Sequence, residues 1–251
     1  MALSRRLLTF GTQLNTFSVR FLGIAGGSSG VKMNYNAYNG GGGGAGEYLE
    51  LTNLAIAPGP SYQVIVGAGG GGDTIFRTTG NNGNPFDYEL SGSSGNGGRS
   101  WPSGYPASWA GYTATLNEAA AGSIGNSGGS GYWLYADDVV GGLGGGGGGA
   151  GGNGGNARGP QRDPGNGGGG LASDITGTSV TRAAGGGGAI DAFDINTGYQ
   201  SYGGSGIGGR GGVQEWQDSS VIANATNGAV NTGSGGGAGT AYSGNGTGGS
   251  G

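Results

Sequence analysis

Cysteine and histidine are both absent from the 251 residues. Without cysteine there is no disulfide framework and no thiolate nucleophile, and without histidine the commonest general base and imidazole ligand are missing. Charged residues make up only 10% of the chain and sum to a net charge of −4, which argues against nucleic acid as a partner. Proline occurs seven times and glycine follows no strict triplet period, so a collagen helix is excluded. No apolar run approaches the roughly 20 residues of a membrane-spanning helix. No segment has a convincing helical period either, and essentially no α-helix is expected.

Carboxylates are the chemistry that remains. Asp137 with Asp138, Asp87 with Glu89, Asp191 with Asp194, and Glu215 with Asp218 lie close enough in sequence to raise a glycosidase pair or a calcium loop. Neighbouring acids in the loops of an acidic protein are more simply solvated charges. The sequence is therefore read as non-enzymatic, with no catalytic residue, no cofactor and no metal site.

What is abundant is glycine, 72 residues in all, with unbroken runs at 40–44, 69–72, 144–149, 167–170, 185–188 and 235–237. Each glycine fixed in place loses more backbone entropy than another residue would. Only 33% of the residues are apolar, so an ordinary core could hardly offset that loss. The alternative is a lattice of polyproline-II-like glycine helices, with about three residues per turn and outward-pointing N–H and C=O groups that pair with neighbouring helices. Glycine is then required inside the lattice, where a Cβ would push neighbours apart, with Ala, Asn or Ser tolerated where a helix faces solvent. The expected fold is mostly irregular and β: a small antiparallel β region followed by a polyglycine-II sandwich.

In SYQVIVGAGGGGD, residues 61–73, the glycines match the G-x-G-x-x-G phosphate pattern. In so glycine-rich a sequence the match carries little weight, and the following DTIFRTTGNNGNP reads as a strand and a turn rather than the helix a pyrophosphate site needs. The alternation at Phe17, Val19 and Phe21 reads as a strand. Residues 47–66 read as a hairpin around Pro58-Gly59-Pro60, its second strand feeding a glycine helix. Residues 1–39 are assigned to N-terminal attachment or oligomerisation strands, retained rather than cleaved as a targeting peptide, and 40–251 to the glycine domain with variable loops.

The order FLGIAGG, then GGGGGAGEYLELTNLAIAPGPSYQVIVGAGG, resembles the glycine-rich domain of bacteriophage tail-fibre and minor tail proteins over residues 17–72. The later alternation of glycine runs and variable segments is similar in architecture to the polyglycine-II adhesins at the tips of T-even-like tail fibres. That resemblance implies a virion protein whose loops bind a bacterial outer-surface receptor, protein or polysaccharide. Other tail-fibre subunits would be further partners, and a homotrimer is among the assemblies it allows.

The aromatic residues fit such a surface. Trp101, Tyr105, Trp109, Tyr112, Trp133, Tyr135, Tyr199, Tyr202 and Trp216 sit in Ser-, Gly- and Asn-rich segments, the composition of a binding paratope, although each could equally cap an end of the lattice. If successive glycine helices alternate in direction, segments 99–121, 156–164 and 189–202 share one end and 132–140, 171–184 and 213–232 the other. Two alternatives stand beside the adhesin. One is a purely structural fibre component; the other is an ice-binding protein, which would need regular Thr or Ala ranks on one face.

Overall fold

The structure, a computed structural model, describes residues 17–32, 40–56, 61–79, 87–90, 92, 126–136, 139–159, 161–192 and 197–251. Among these there is no α-helix. Short strands and 3-10 turns are separated by long stretches with no regular secondary structure, in which the glycines lie.

Hydrogen bonds give those stretches their order. Along 40–47, the N–H groups of Gly42 and Ala45 donate to Gly145 and Gly148, and those of Gly43 and Gly46 to Gly236 and Gly233. The carbonyls of Gly41, Gly44 and Glu47 accept from Val31, Ser28 and Ala25, and those of Gly40 and Gly43 from Ala189 and Gly186. Each neighbour is met again three residues later, which is the repeat of a polyproline-II helix. Gly203, with φ −70° and ψ 149°, has that conformation.

Traced from end to end, the bonds define a triangular lattice in three tiers. The first holds 153–157, 144–150, 40–47 and 25–31, with 126–131 outside it. The second holds 164–170, 183–189, 233–240 and 244–251; the third holds 201–204, 207–212 and 224–229. Segments 183–189 and 233–240 are enclosed on every side. The first bonds to 144–150, 40–43, 235–238, 209, 204 and 165–168, and the second to 43–46, 28, 246–250, 226, 209–212 and 184–187. Both are buried throughout. A Cβ at Gly186 would run into the carbonyl of Gly236, and one at Gly235 into that of Gly43, so side chains are excluded here by the backbone of the next helix.

Non-glycine residues in the lattice differ from expectation. Ala45, Ala150, Ala183, Ala184, Ala189 and Ala238 are buried rather than solvent-facing. They lie near helix ends, where most join small apolar clusters. Ile24, Ala45, Tyr48, Ala150 and Ala183 close one end, and Leu143, Ala157, Ile190 and Val213 the other. Ser28 and Ser234 are also buried, and their hydroxyls bond the backbone of the next helix, Ser28 with Gly44 and Ser234 with Ala184.

Asparagine does more than face solvent. Asn153 Oδ1 accepts from Ser127 N–H at 3.0 Å while the next N–H, of Gly154, donates to the carbonyl of that same Ser127 at 2.9 Å. The arrangement recurs with Asn156-Ala157 on Ser130, Asn166-Gly167 on Tyr202 and Asn227-Gly228 on Thr247. At an outer helix, where no further glycine carbonyl exists, the side-chain amide supplies the missing acceptor. Asn227→Ala should therefore lower unfolding free energy by about 1 kcal/mol, the usual net contribution of one hydrogen bond. Denaturant titration of the variant checks this.

Strands form at both ends. β1 (Phe17–Ile24) pairs antiparallel with β2 (Tyr48–Ile56), while β3 (Ser61–Ile65), β4 (Thr74–Thr79) and β5 (Asp87–Leu90) form a separate sheet. The strands expected within 47–66 are present, but they are not each other's partners. β2 is bonded to the strand that leads into 25–31, and β3 turns through 66–73 onto β4. In that turn Gly70 and Gly71 have φ of 91° and 102°, a region that favours glycine, and a strand rather than a helix follows. The G-x-G-x-x-G match is thus a hairpin turn, not a phosphate loop and not the start of a glycine helix.

At the same end β8 (Leu171–Ser173) and β9 (Val180–Arg182) form a hairpin. Arg20 ties it to β1 and β2, meeting Glu50 at 2.9 Å and Asp174 at 2.6 Å. Tyr48 and Ser173 both donate to Glu50, at 2.7 and 3.0 Å, and burial, with the Glu50 bond, pushes the Tyr48 hydroxyl up to about 12.

Candidate functional site

The opposite end carries a five-stranded sheet built from segments far apart in sequence. β6 (Tyr132–Ala136), β7 (Val139–Leu143), β10 (Ile190–Ala192), β11 (Val213–Glu215) and β12 (Val221–Ala223) lie in the order β12-β11-β10-β7-β6. One rank across it, Tyr132, Leu143, Ile190, Val213 and Ala223, packs on the lattice as the apolar cluster of that end. The next rank is Trp133, Gly142, Asp191, Gln214 and Val221.

The described residues of 156–164 and 189–202 share this end, as expected, and 99–121, grouped with them, lies outside the described residues. Residues 132–143 and 213–223 join them, whereas the sequence assigned 132–140 and 213–232 to the other end. Two stretches, 141–155 and 201–212, each contain a reversal. Gly149 and Gly152 bridge across a turn that folds 141–155 back on itself, and 201–212 reverses at Ser205 and Gly206, with φ of 50° and 71°. Each reversal exchanges the ends of everything that follows. Segment 171–182 remains at the far end.

Trp133, Tyr135, Tyr199, Tyr202 and Trp216 are consequently brought to one region. Trp133 and Tyr135 are strand residues, in register with Gly142 and Val140. Tyr199 lies in the 3-10 turn Thr197–Tyr199 and packs half-buried against the apolar cluster, which makes it largely a cap. Trp216 is half-buried in the turn after β11. Trp101, Tyr105, Trp109 and Tyr112 lie outside the described residues, as do Asp137, Asp138 and Asp194.

Tyr202 stands apart. It is 58% exposed, with the Arg210 guanidinium carbon 4.9 Å from its ring centroid. Its backbone is held at both polar groups: the N–H donates to Asn166 Oδ1 at 2.7 Å and the carbonyl accepts from Gly167 at 2.8 Å. The other residues held in this way, Ser127, Ser130 and Thr247, are small. Here the same device presents a large aromatic ring to solvent in a fixed position.

Sequence reasoning passes over two residues of this region. Arg210 carries no sequence signal, since its contact with Tyr202 comes from the reversal at 205–206. Tyr242 does carry one, an aromatic between two glycine runs like Tyr202; it is 48% exposed, and its N–H donates to Gln214 Oε1 at 3.1 Å.

Asp191 is only 3% exposed, and its Oδ1 has no hydrogen-bond partner. Burial first, and the charge of Glu215 second, push its carboxyl up to about 7. No group of three or more acidic, histidine or cysteine side chains that could hold a metal ion occurs among the described residues. No helix of the described residues is long and apolar enough to cross a membrane.

An interior made of glycine backbone, sealed by small apolar clusters at both ends, defines a glycine-rich lattice protein. The chain belongs to the glycine-rich domain family, whose model matches residues 8–251. No curated protein and no solved structure matches it.

Proposed function

We propose that this protein is a receptor-binding adhesin of a bacteriophage tail fibre or fibre tip, acting from the virion without enzymatic chemistry. The observation that carries the proposal is Tyr202: an exposed ring stacked with Arg210, on backbone bonded through both its polar groups. Recognition by such a residue loses little ordering entropy on binding, because the lattice has fixed it beforehand. Tyr242, Trp216, Trp133 and Tyr135, with the sequence candidates Trp101, Tyr105, Trp109 and Tyr112, would extend the contact to a bacterial surface protein or polysaccharide.

The opposite end suits attachment. Phe17, Val64, Ile65 and Val66 are exposed apolar residues there, and β1, with the residues before it, would join this end to other fibre subunits or to further copies of the protein, while 25–31 of the segment assigned to attachment belongs to the lattice. The same patch favours the second reading, a purely structural fibre component. The ice-binding alternative lacks support: the exposed third-tier residues include Tyr202, Arg210, Asn224, Thr226 and Asn227, a mixed set with a single Thr rather than a regular Thr or Ala rank.

Binding of the purified protein to intact candidate host cells tests the adhesin reading. Tyr202→Ala should weaken binding at least about tenfold, or about 1.4 kcal/mol, with an unchanged unfolding midpoint. Cell binding that survives Tyr202→Ala, Arg210→Ala and Trp216→Ala alike would refute the assigned surface. Absence of binding to any cell type would favour the structural component.

A further inference from the structure

We infer that three asparagine–glycine pairs, Asn153-Gly154, Asn166-Gly167 and Asn227-Gly228, are held by the lattice against spontaneous deamidation. In that reaction the glycine backbone nitrogen loses its proton and attacks the carbonyl carbon of the asparagine amide. The bond from that carbon to the amide nitrogen breaks and the nitrogen leaves as ammonia; the five-membered succinimide then takes up water to give aspartate or isoaspartate. Glycine is the most permissive residue after asparagine, since no Cβ hinders ring closure.

All three asparagines are exposed, so exclusion of water does not protect them. The reacting groups are instead each engaged in a hydrogen bond to the same residue of the neighbouring helix. The attacking nitrogens of Gly154, Gly167 and Gly228 donate to the carbonyls of Ser127, Tyr202 and Thr247 at 2.9, 2.8 and 2.9 Å. The amides under attack accept, through Oδ1, the N–H of those same three residues at 3.0, 2.7 and 2.8 Å. Ring closure requires both bonds to break and the glycine nitrogen to swing out of the polyproline-II path toward its own neighbour's side chain. Reaction would also damage the lattice, because isoaspartate adds a methylene to the backbone and disturbs a three-residue register.

Peptide mass mapping of the full-length protein after incubation in warm, mildly alkaline buffer, folded and in guanidinium, is the test. The three asparagines should react at least about tenfold more slowly in the folded protein, equivalent to about 1.4 kcal/mol of opening free energy. Equal rates in the two states would overturn the inference. Tyr202→Pro removes the N–H that Asn166 accepts while keeping a φ compatible with the helix, and Thr247→Pro does the same for Asn227. Each should accelerate deamidation at its own asparagine only, with Asn153 unchanged in both. A folded variant in which the released asparagine reacts no faster than in the parent would show that the two-point hold is not what protects it.

Discussion

Gly186→Ala should leave no stably folded protein, whereas Gly244→Ala should unfold at or slightly above the parental midpoint. Gly186 lies in the enclosed segment 183–189, and a methyl group there would meet the carbonyl of Gly236 and press apart two helices that are bonded on every side. The obstacle is backbone and cannot change rotamer, so relief requires moving a whole helix. Overpacking in ordinary cores costs about 1–3 kcal/mol, and the rigid case should exceed it. That is a large share of the about 5–15 kcal/mol by which domains are stable. At Gly244 a Cβ meets nothing within 4 Å, and the loss of unfolded-state freedom can stabilise by about 0.4–1 kcal/mol. Both substitutions add the same methyl group. Melting curves within a few degrees of each other would mean that glycine is not required by packing.

The glycine lattice was legible because composition left so few other means of ordering the backbone. Runs such as 185–188 and 235–237 are the two enclosed segments, and their residues could be assigned to the interior from absence of a Cβ alone. What could not be read was where a run reverses. Within 141–155 and 201–212 glycine is the main residue of both helix and turn, and the few others, such as Ala150 and Ser205, are types found along the helices too. For that reason Trp133 and Trp216 were assigned to the wrong end relative to Tyr199. Strand pairing was hidden for a similar reason: 48–56 and 61–65 alternate as strands should, but their partners are selected by β1, whose continuation at 25–31 is bonded into the first tier. Among the candidate residues, Tyr199 packs half-buried against the apolar cluster, whereas Tyr202 is exposed on backbone bonded to Asn166, with Arg210 over its ring.

Asp191→Asn is expected to stabilise the protein above neutral pH and to flatten its pH dependence. The carboxyl titrates at about 7 in the folded protein and near 3.8 when unfolded. Below 3.8 both states hold the proton and the group contributes no penalty. Between about 4 and 7 the unfolded state ionises while the folded state keeps its proton, so stability falls as pH rises. Above 7 the loss is complete, at roughly 4 kcal/mol from about 1.4 kcal/mol for each pH interval of one. Asparagine mimics the protonated form in size and removes the titration. Unfolding free energies measured from pH 4 to 9 should converge for the two proteins at the acidic limit and separate at the alkaline one. A variant less stable than the parent at alkaline pH would mean that ionised Asp191 has a favourable partner.

The second tier ends at 244–251, and this segment is bonded to 25–31. Gly27 and Gly30 donate to Gly249 and Gly246, and Asn245 Nδ2 reaches the carbonyl of Gly30 across a sequence separation of 215 residues. During synthesis, therefore, the earliest helix of the lattice waits for the latest. Until 244–251 has left the ribosome, 25–31 and 233–240 each lack a neighbour, and nucleation must rest on local pieces such as the β8–β9 hairpin. Closure by such distant pairing is slow. The rigid body that results is closed only when 244–251 takes its place beside 25–31.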